Sequence, residues 1–269
     1  MIYDLQKASV LKRFSAFLLD AICVCIVATL FAWLLSAIVD FGGWSAKYDE
    51  LKTAHEQKYG INTLTKDEYD ALSDSEKKEY DEKNEQAKQE AERALREAYM
   101  SKDPVAVETV RTIDMVNNLI LLMISVGCFF GFFIVEFIVP LFFKNGQTLG
   151  KKIFSVAVMR TATVRINSVC LFIRSMLGKF AIETMIPLYI LIRVVFLGSG
   201  NVIDVALLAA LTLSQILIFF VTKTRSFIHD LLADTVTVDM ATQMIFDTED
   251  DLIRYKEKLH EAEVKASDY

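Results

Sequence analysis

Residues Phe14–Val39 run for 26 positions with a single charge, Asp20, and nothing else constrains the chain so strongly. About 20 consecutive apolar residues carry a helix through a hydrocarbon core of about 30 Å. A cleavable signal would show a shorter apolar stretch of about 7–15 residues and a small-residue cleavage site, so we read this run as a retained membrane span. Three further segments follow: Asn118–Phe143, interrupted by Glu136 and closing on Pro140; Phe180–Leu197, which carries Glu183, Pro187 and Arg193; and Val205–Thr222, apolar apart from short hydroxyls and Gln215.

Charge is distributed accordingly. Of the formal net charge of −6, Asp40–Asp114 holds 19 acidic against 12 basic residues and Asp239–Tyr269 holds 9 against 4. The remainder holds 13 basic against 7 acidic residues together with nearly all the long apolar runs. Two acidic polar blocks on a basic, apolar core exclude a disulfide-stapled secreted scaffold, a free disordered chain and an ordinary soluble enzyme. The expected architecture is an all-α integral membrane protein with four transmembrane helices, an extracytoplasmic helical insertion and a small cytoplasmic β-hairpin. Its expected segments are 1–39 (N-terminus and first span), 40–117 (insertion), 118–240 (the remaining membrane domain) and 241–269 (acidic helical tail).

Lys and Arg in short connections set orientation. Lys7, Lys12 and Arg13 precede the first span; Lys144–Lys179 holds seven basic residues and no acidic one; Gly198–Asp204 has none; Lys223 and Arg225 follow the fourth span. The expected placement is the inner (plasma) membrane with both termini cytoplasmic.

In the insertion, Ser73-Asp-Ser-Glu76 is a capping-box pattern. It opens Asp74–Met100, a stretch without Gly or Pro and rich in good helix formers. Tyr80, Ala87, Ala91, Ala94 and Ala98 form a thin apolar stripe, and Tyr48, Leu51, His55 and Tyr59 a second on a shorter helix broken at Gly60. The pair reads as a helical hairpin, either a solvated decoration or an arm that docks a membrane-protein partner or another copy of the chain. Thr248-Glu-Asp-Asp251 opens a tail helix running to about Ala266, with Leu252, Tyr255, Leu259 and Ala262 on one edge. Ile153–Met159 and Val164–Asn167 read as a short hairpin, which Thr235–Val238 could join.

Charges inside spans cost about 2.5–3.5 kcal/mol each on insertion scales, so each needs a partner. Arg13 and Asp20 are seven apart, on one helix face about 10.5 Å along the axis. Asp20, Glu136 and Glu183 fall at comparable depth from the same membrane surface, with Arg13, Arg174 and Lys179 just beyond them as counter-charges. The three carboxylates are the candidate ion or proton site; the alternative is a helix lock of salt bridges and interhelical hydrogen bonds. Lys144, Lys151 and Lys152 are expected on anionic lipid headgroups. Gly146-Gln-Thr-Leu-Gly150-Lys-Lys152 lacks the spacing and terminal hydroxyl of a phosphate loop, and the basic connection lacks the interleaved aromatics of a nucleic-acid surface. Cys23, Cys25, Cys128 and Cys170 lack zinc-site spacing. No catalytic constellation, metal site or cofactor is expected. His229-Asp230 is the only acid–base couple, and sequence neighbours on a turn seldom face one another.

Leu11-Lys-Arg-Phe-Ser-Ala-Phe-Leu-Leu-Asp20, Gly146-Gln-Thr-Leu-Gly-Lys-Lys152 and Phe227-Ile-His-Asp-Leu-Leu-Ala233 resemble motifs of the RDD family of bacterial membrane proteins. On that resemblance the motif residues are Arg13, Asp20, Gly146, Gln147, Gly150, Lys151, His229 and Asp230. Asp234 stands where the family pattern has glycine. The resemblance covers Val10–Val39 and roughly Leu119–Met240, and leaves out Ser45–Arg111 and the tail. It implies a membrane bundle and a transport role, with cation/proton exchange in some members and regulation of other membrane proteins in others. We therefore expect a cation- or proton-linked transport role through the three carboxylates; the alternative is a non-catalytic regulator or scaffold that binds a membrane protein through the insertion or the tail.

Overall fold

A computed structural model describes residues 5–61, 64–195 and 201–267. Four helices are long and apolar enough to cross a membrane: α1 (Val10–Ile38), α5 (Pro104–Phe142), α7 (Ser168–Val195) and α8 (Val202–Val221). Between them lie α2 (Phe41–Lys58), α3 (Lys66–Asp70), α4 (Asp74–Met100), α6 (Leu149–Ile153) and β1 (Val156–Arg160). After α8 come α9 (Ile228–Leu232), β2 (Thr235–Asp239) and α10 (Glu249–Ser267). The apolar faces of these spans are open, with Ile26 64% and Phe220 77% exposed. Only a lipid surround relieves that cost, and the protein is a membrane protein.

The chain divides into two units, residues 1–31 with 125–269, and residues 32–124. In the second, Asp40 caps α2 through the Gly43 N–H, and Thr65/Glu68 and Ser73/Glu76 form capping boxes on α3 and α4. The expected stripe on α4 is half-buried throughout, with Ala91 2% exposed. The short helix α3 is absent from the sequence reading; it places Tyr69 edge-on to Tyr80, whose hydroxyl accepts the Leu64 N–H at 3.0 Å.

Two spans begin earlier than hydropathy indicates. Helix α5 starts at Pro104, capped by Asp103, and α7 starts at Ser168, twelve residues before the expected Phe180. Arg174 and Lys179 therefore stand inside α7 and not in a connection. Its best 18-residue stretch has a mean hydropathy of only 1.4, against 2.3–2.5 in the other three spans.

Both helices contain π-helical turns, Phe133–Ile138 in α5 and Ile173–Met185 in α7. The cause is a proline just downstream. Pro140 and Pro187 offer no N–H and crowd the carbonyl four residues back. The preceding residues, Val139 and Ile186, instead bond five residues back to Ile134 and Ala181. The widened turns carry Glu136, Arg174, Lys179 and Glu183, and such turns concentrate at functional sites.

The expected hairpin shrinks to one antiparallel bridge, Met159 opposite Arg165, with the Arg160 N–H donating to the Val164 carbonyl at 2.9 Å, and the third candidate strand takes over the ladder. β1 pairs antiparallel with β2, Val156 opposite Asp239 and Arg160 opposite Thr235. Val164 and Arg165 make only isolated bridges, to Phe246 and Met159. Ala157, Met159, Val236 and Val238 are fully buried on one face with Leu5 and Ile245 against them, and Val156, Val158, Thr235 and Thr237 are buried on the other, so both faces of the ribbon are covered and the long-range partner outcompetes the local one. The tail is tied on through Arg165–Asp247 (3.2 Å) and Arg160–Glu249 (3.0 Å).

Candidate functional site

The segment Gly146–Lys151 is a docking device for the first span. Gly146 turns the chain with φ +58°, and the Gln147 amide donates to the Val156 carbonyl at 2.9 Å, fixing the start of β1. Thr148 caps α6. Its hydroxyl donates to Asp20 at 2.5 Å, and the Gly150 N–H donates to the other Asp20 oxygen at 2.8 Å. A helix start has N–H groups to spare, and here a buried carboxylate from a span takes one. A Cβ at residue 150 would stand 2.4 Å from the Ala16 carbonyl oxygen and 2.8 Å from Asp20 Oδ1. Gly150→Ala is expected to lose about 1–3 kcal/mol through this backbone clash, read as a lower unfolding temperature of the detergent-solubilised protein.

Lys151 then turns inward. Its ammonium lies 3.2 Å from Glu136 Oε2, 3.2 Å from Thr148 Oγ1 and 3.7 Å from Asp20 Oδ2. Lys179 holds the other Glu136 oxygen at 2.5 Å. Burial lowers the Lys151 ammonium to about 8 in spite of Glu136 and Asp20. Two carboxylates and two ammonium groups thus neutralise one another where water is scarce. Lys151 is 7% exposed, which withdraws it from the expected contact with lipid headgroups. Lys152 is available at the surface, its ammonium 4.0 Å from the Phe143 ring centroid; the Lys144 side chain lies outside the described residues.

A second cluster adjoins the first. Asp230, fully buried, is paired with Arg174, with Arg13 Nη2 at 3.7 Å, and accepts from Thr235 Oγ1 at 3.2 Å. Arg174 also donates to Thr235 Oγ1 at 2.9 Å and meets His229 Nε2 at 3.1 Å. On the other side of the ring, His229 Nδ1 lies 2.7 Å from Glu183, which also accepts the His229 backbone N–H at 2.9 Å. A guanidinium can only donate, so Nε2 accepts and Nδ1 carries the proton. Burial pulls His229 below its ordinary range, keeping it neutral. Burial alone would raise the Asp230 carboxyl, but the Arg174 and Arg13 guanidinium groups hold it down to about 2. Gly178 makes room, since a Cβ there would stand 2.5 Å from that of His229.

Three expectations change. Arg13 is not the partner of Asp20: it pairs with Asp230, donates to the Arg225 carbonyl at 2.7 Å and lies near the rings of Phe219 and Phe227. The three carboxylates divide, Asp20 and Glu136 around Lys151 and Glu183 with His229. His229 and Asp230, expected to diverge, come within 3.6 Å because Arg174 engages both. Outside the clusters, Arg193 pairs with Asp204 at 3.5 Å. Sequence reasoning missed Thr148 and Thr235; the Thr-x-x-Lys start of α6 was the available cue for the first. Among the described residues no group of three or more His, Cys, Asp or Glu could hold a metal ion.

A family model described as RDD family matches residues 7–234. The matched range takes in both charge clusters and also the insertion, which the motif resemblance had left out. No curated protein and no solved structure matches the chain.

Proposed function

The chain belongs to the RDD family, and from that membership we propose that it moves a monovalent cation or a proton across the inner membrane by way of Asp20 and Glu136. One arrangement carries the reading. Carboxylates from two different spans and the Thr148 hydroxyl surround a single positive charge, the Lys151 ammonium, which reaches in from outside the spans. A soluble cation of the same charge has the same oxygens to compete for. Together with Lys179 on Glu136, the tethered ammonium also keeps the carboxylates neutralised when no ion is present, which intramembrane charge requires. Glu183 participates from the adjoining cluster through His229.

The reading places both termini in the cytoplasm and the insertion outside. Arg13, Lys151, Arg174 and Lys179 are taken up by buried ion pairs, so the orientation rests on Lys7, Lys12, Lys144, Lys152, Arg160, Arg165, Lys223 and Arg225.

The test is ion flux into proteoliposomes under imposed sodium and pH gradients, for the wild-type chain and for Asp20→Asn. Flux that falls at least tenfold in the variant, at equal insertion, supports transport. Wild-type vesicles no leakier than empty ones overturn it. The second reading, a regulator of another membrane protein, is favoured by residues 32–124 forming a unit of their own. It requires that deleting 45–111 abolish function while the spans stay inserted.

A further inference from the structure

We infer that the cavity between the end of α5 and the start of α7 binds the phosphate of an anionic phospholipid, a site independent of the transport reading. The cavity has a volume of about 350 Å³, and its walls include Pro140, Phe142, Asn145, Arg165, Asn167 and Ser168. Its position follows from the helices that make it. One wall is the last turn of a span and the other is the first turn of the next, so the cavity sits where apolar chain gives way to polar chain.

The two sides of the cavity have opposite chemistry. Phe142 is 83% exposed and Leu141 45% exposed, a rim that water would not stabilise and that continues the lipid-facing surface of α5. Opposite stand Arg165 and the start of a 28-residue helix, while the Asn145 amide, also in the wall, donates to the Met240 sulfur at 3.4 Å. Asn167 caps that helix by accepting the Cys170 N–H at 2.7 Å, and its carbonyl takes the Leu171 N–H. The first N–H groups, on Ser168 and Val169, present the positive end of the helix. The Lys152 ammonium over Phe143, itself a wall residue, adds a second positive charge at the rim. Asp247 is the acid that faces this group. It pairs with Arg165 at 3.2 Å from the solvent side, 75% exposed.

A guanidinium and a helix start form a phosphate-binding pair, and the apolar half of the rim selects a phosphate that brings an acyl chain. A free phosphate would use the polar half only. Lys152, one of the lysines expected on headgroups, lies over the wall residue Phe143.

The test uses the full chain, stripped of lipid in a neutral detergent. Bound lipid is counted by native mass spectrometry, and the unfolding temperature is followed with phosphatidylglycerol, phosphatidylcholine or inorganic phosphate. Phosphatidylglycerol is expected to bind at least tenfold more tightly than phosphatidylcholine and to raise the unfolding temperature. Arg165→Gln should weaken that binding at least tenfold. Asp247→Asn should tighten it about threefold, because it releases Arg165 from its acidic partner. Both substitutions break the same ion pair, so a merely structural effect moves the two variants in the same direction and overturns the site. Equal binding of the two lipids overturns it as well, and inorganic phosphate binding as tightly as phosphatidylglycerol overturns the lipid assignment.

Discussion

Arg174→Met is expected to destabilise the protein by about 3–5 kcal/mol, the usual consequence of removing one member of a buried ion pair. Methionine is close to arginine in length and is at home in a span, so packing changes little. What changes is Asp230, fully buried, which keeps only Arg13 at 3.7 Å as a cationic partner. The acceptors on Thr235 and His229 lose their donor at the same time. Adding Asp230→Asn removes the stranded charge, so the double variant should recover at least half of the loss. Thermal unfolding in detergent across the four members of this double-mutant cycle measures both quantities. A loss below about 1 kcal/mol in Arg174→Met, the range of exposed pairs, would mean that water reaches Asp230 and that the cluster does not hold the bundle together.

The same cluster shows what was legible in the sequence. Membrane insertion was readable because burial in lipid leaves a 26-residue mark that few alternatives share. The depth of Asp20 was readable for the same reason, since one carboxylate in an apolar run has to be buried and bonded. The identity of its partner was not. Periodicity relates residues within one helix, and by that logic Arg13 answers Asp20; the partner of Arg13 lies more than two hundred residues away, on a turn that follows the last span. The β1–β2 pairing was hidden in the same way, because an alternating strand does not name the strand it meets. The early starts of α5 and α7 were hidden by hydropathy itself. Their charges read as interruptions, whereas the π-helical turns set those charges against one another inside the bundle. The prolines were the visible sign of the wide turns, but Pro140 read as a break near the end of its span and Pro187 as a weakness within its own.

The Gly-Gln-Thr-Leu-Gly-Lys segment was legible as a motif and opaque as a device. Its resemblance to a phosphate loop comes from a shared need, a backbone that can approach an anion closely. Here the anion is the side chain of Asp20 in the same chain, and Gly150 is small because Ala16 and Asp20 stand against it. The second lysine of the motif was expected to match the first in facing headgroups. A one-residue step along a helix turns a side chain by about 100°, which is enough to put Lys151 among carboxylates and Lys152 at the surface.

Acidification should destabilise the protein through two groups of the Arg174 cluster, His229 and then Asp230. His229 is neutral in the folded chain, its affinity for protons lowered by burial. It faces Glu183 and Arg174 from α7 and Asp230 from its own helix, with Arg13 of α1 beyond. Below about 6.5 the unfolded chain takes up a proton that the folded chain refuses, so stability falls as pH drops through that range. Asp230 acts lower. Its folded carboxyl is held down to about 2 from an ordinary 3.8, mainly by Arg174 against the opposing effect of burial. The stability this confers, about 2 kcal/mol, is complete above about 4 and is lost as pH falls toward 2. Unfolding temperature measured from pH 8 to pH 2 in detergent should therefore begin to decline below about 6.5 and decline more steeply below about 4. His229→Gln should erase the upper stage and leave the lower one. Asp230→Asn, paired with Arg174→Met so that the Arg174 guanidinium is not left without its carboxylate, should erase the lower stage. A single decline unchanged by either variant would locate the acid sensitivity outside this cluster, and would mean that its carboxylate and imidazole titrate as they do in water.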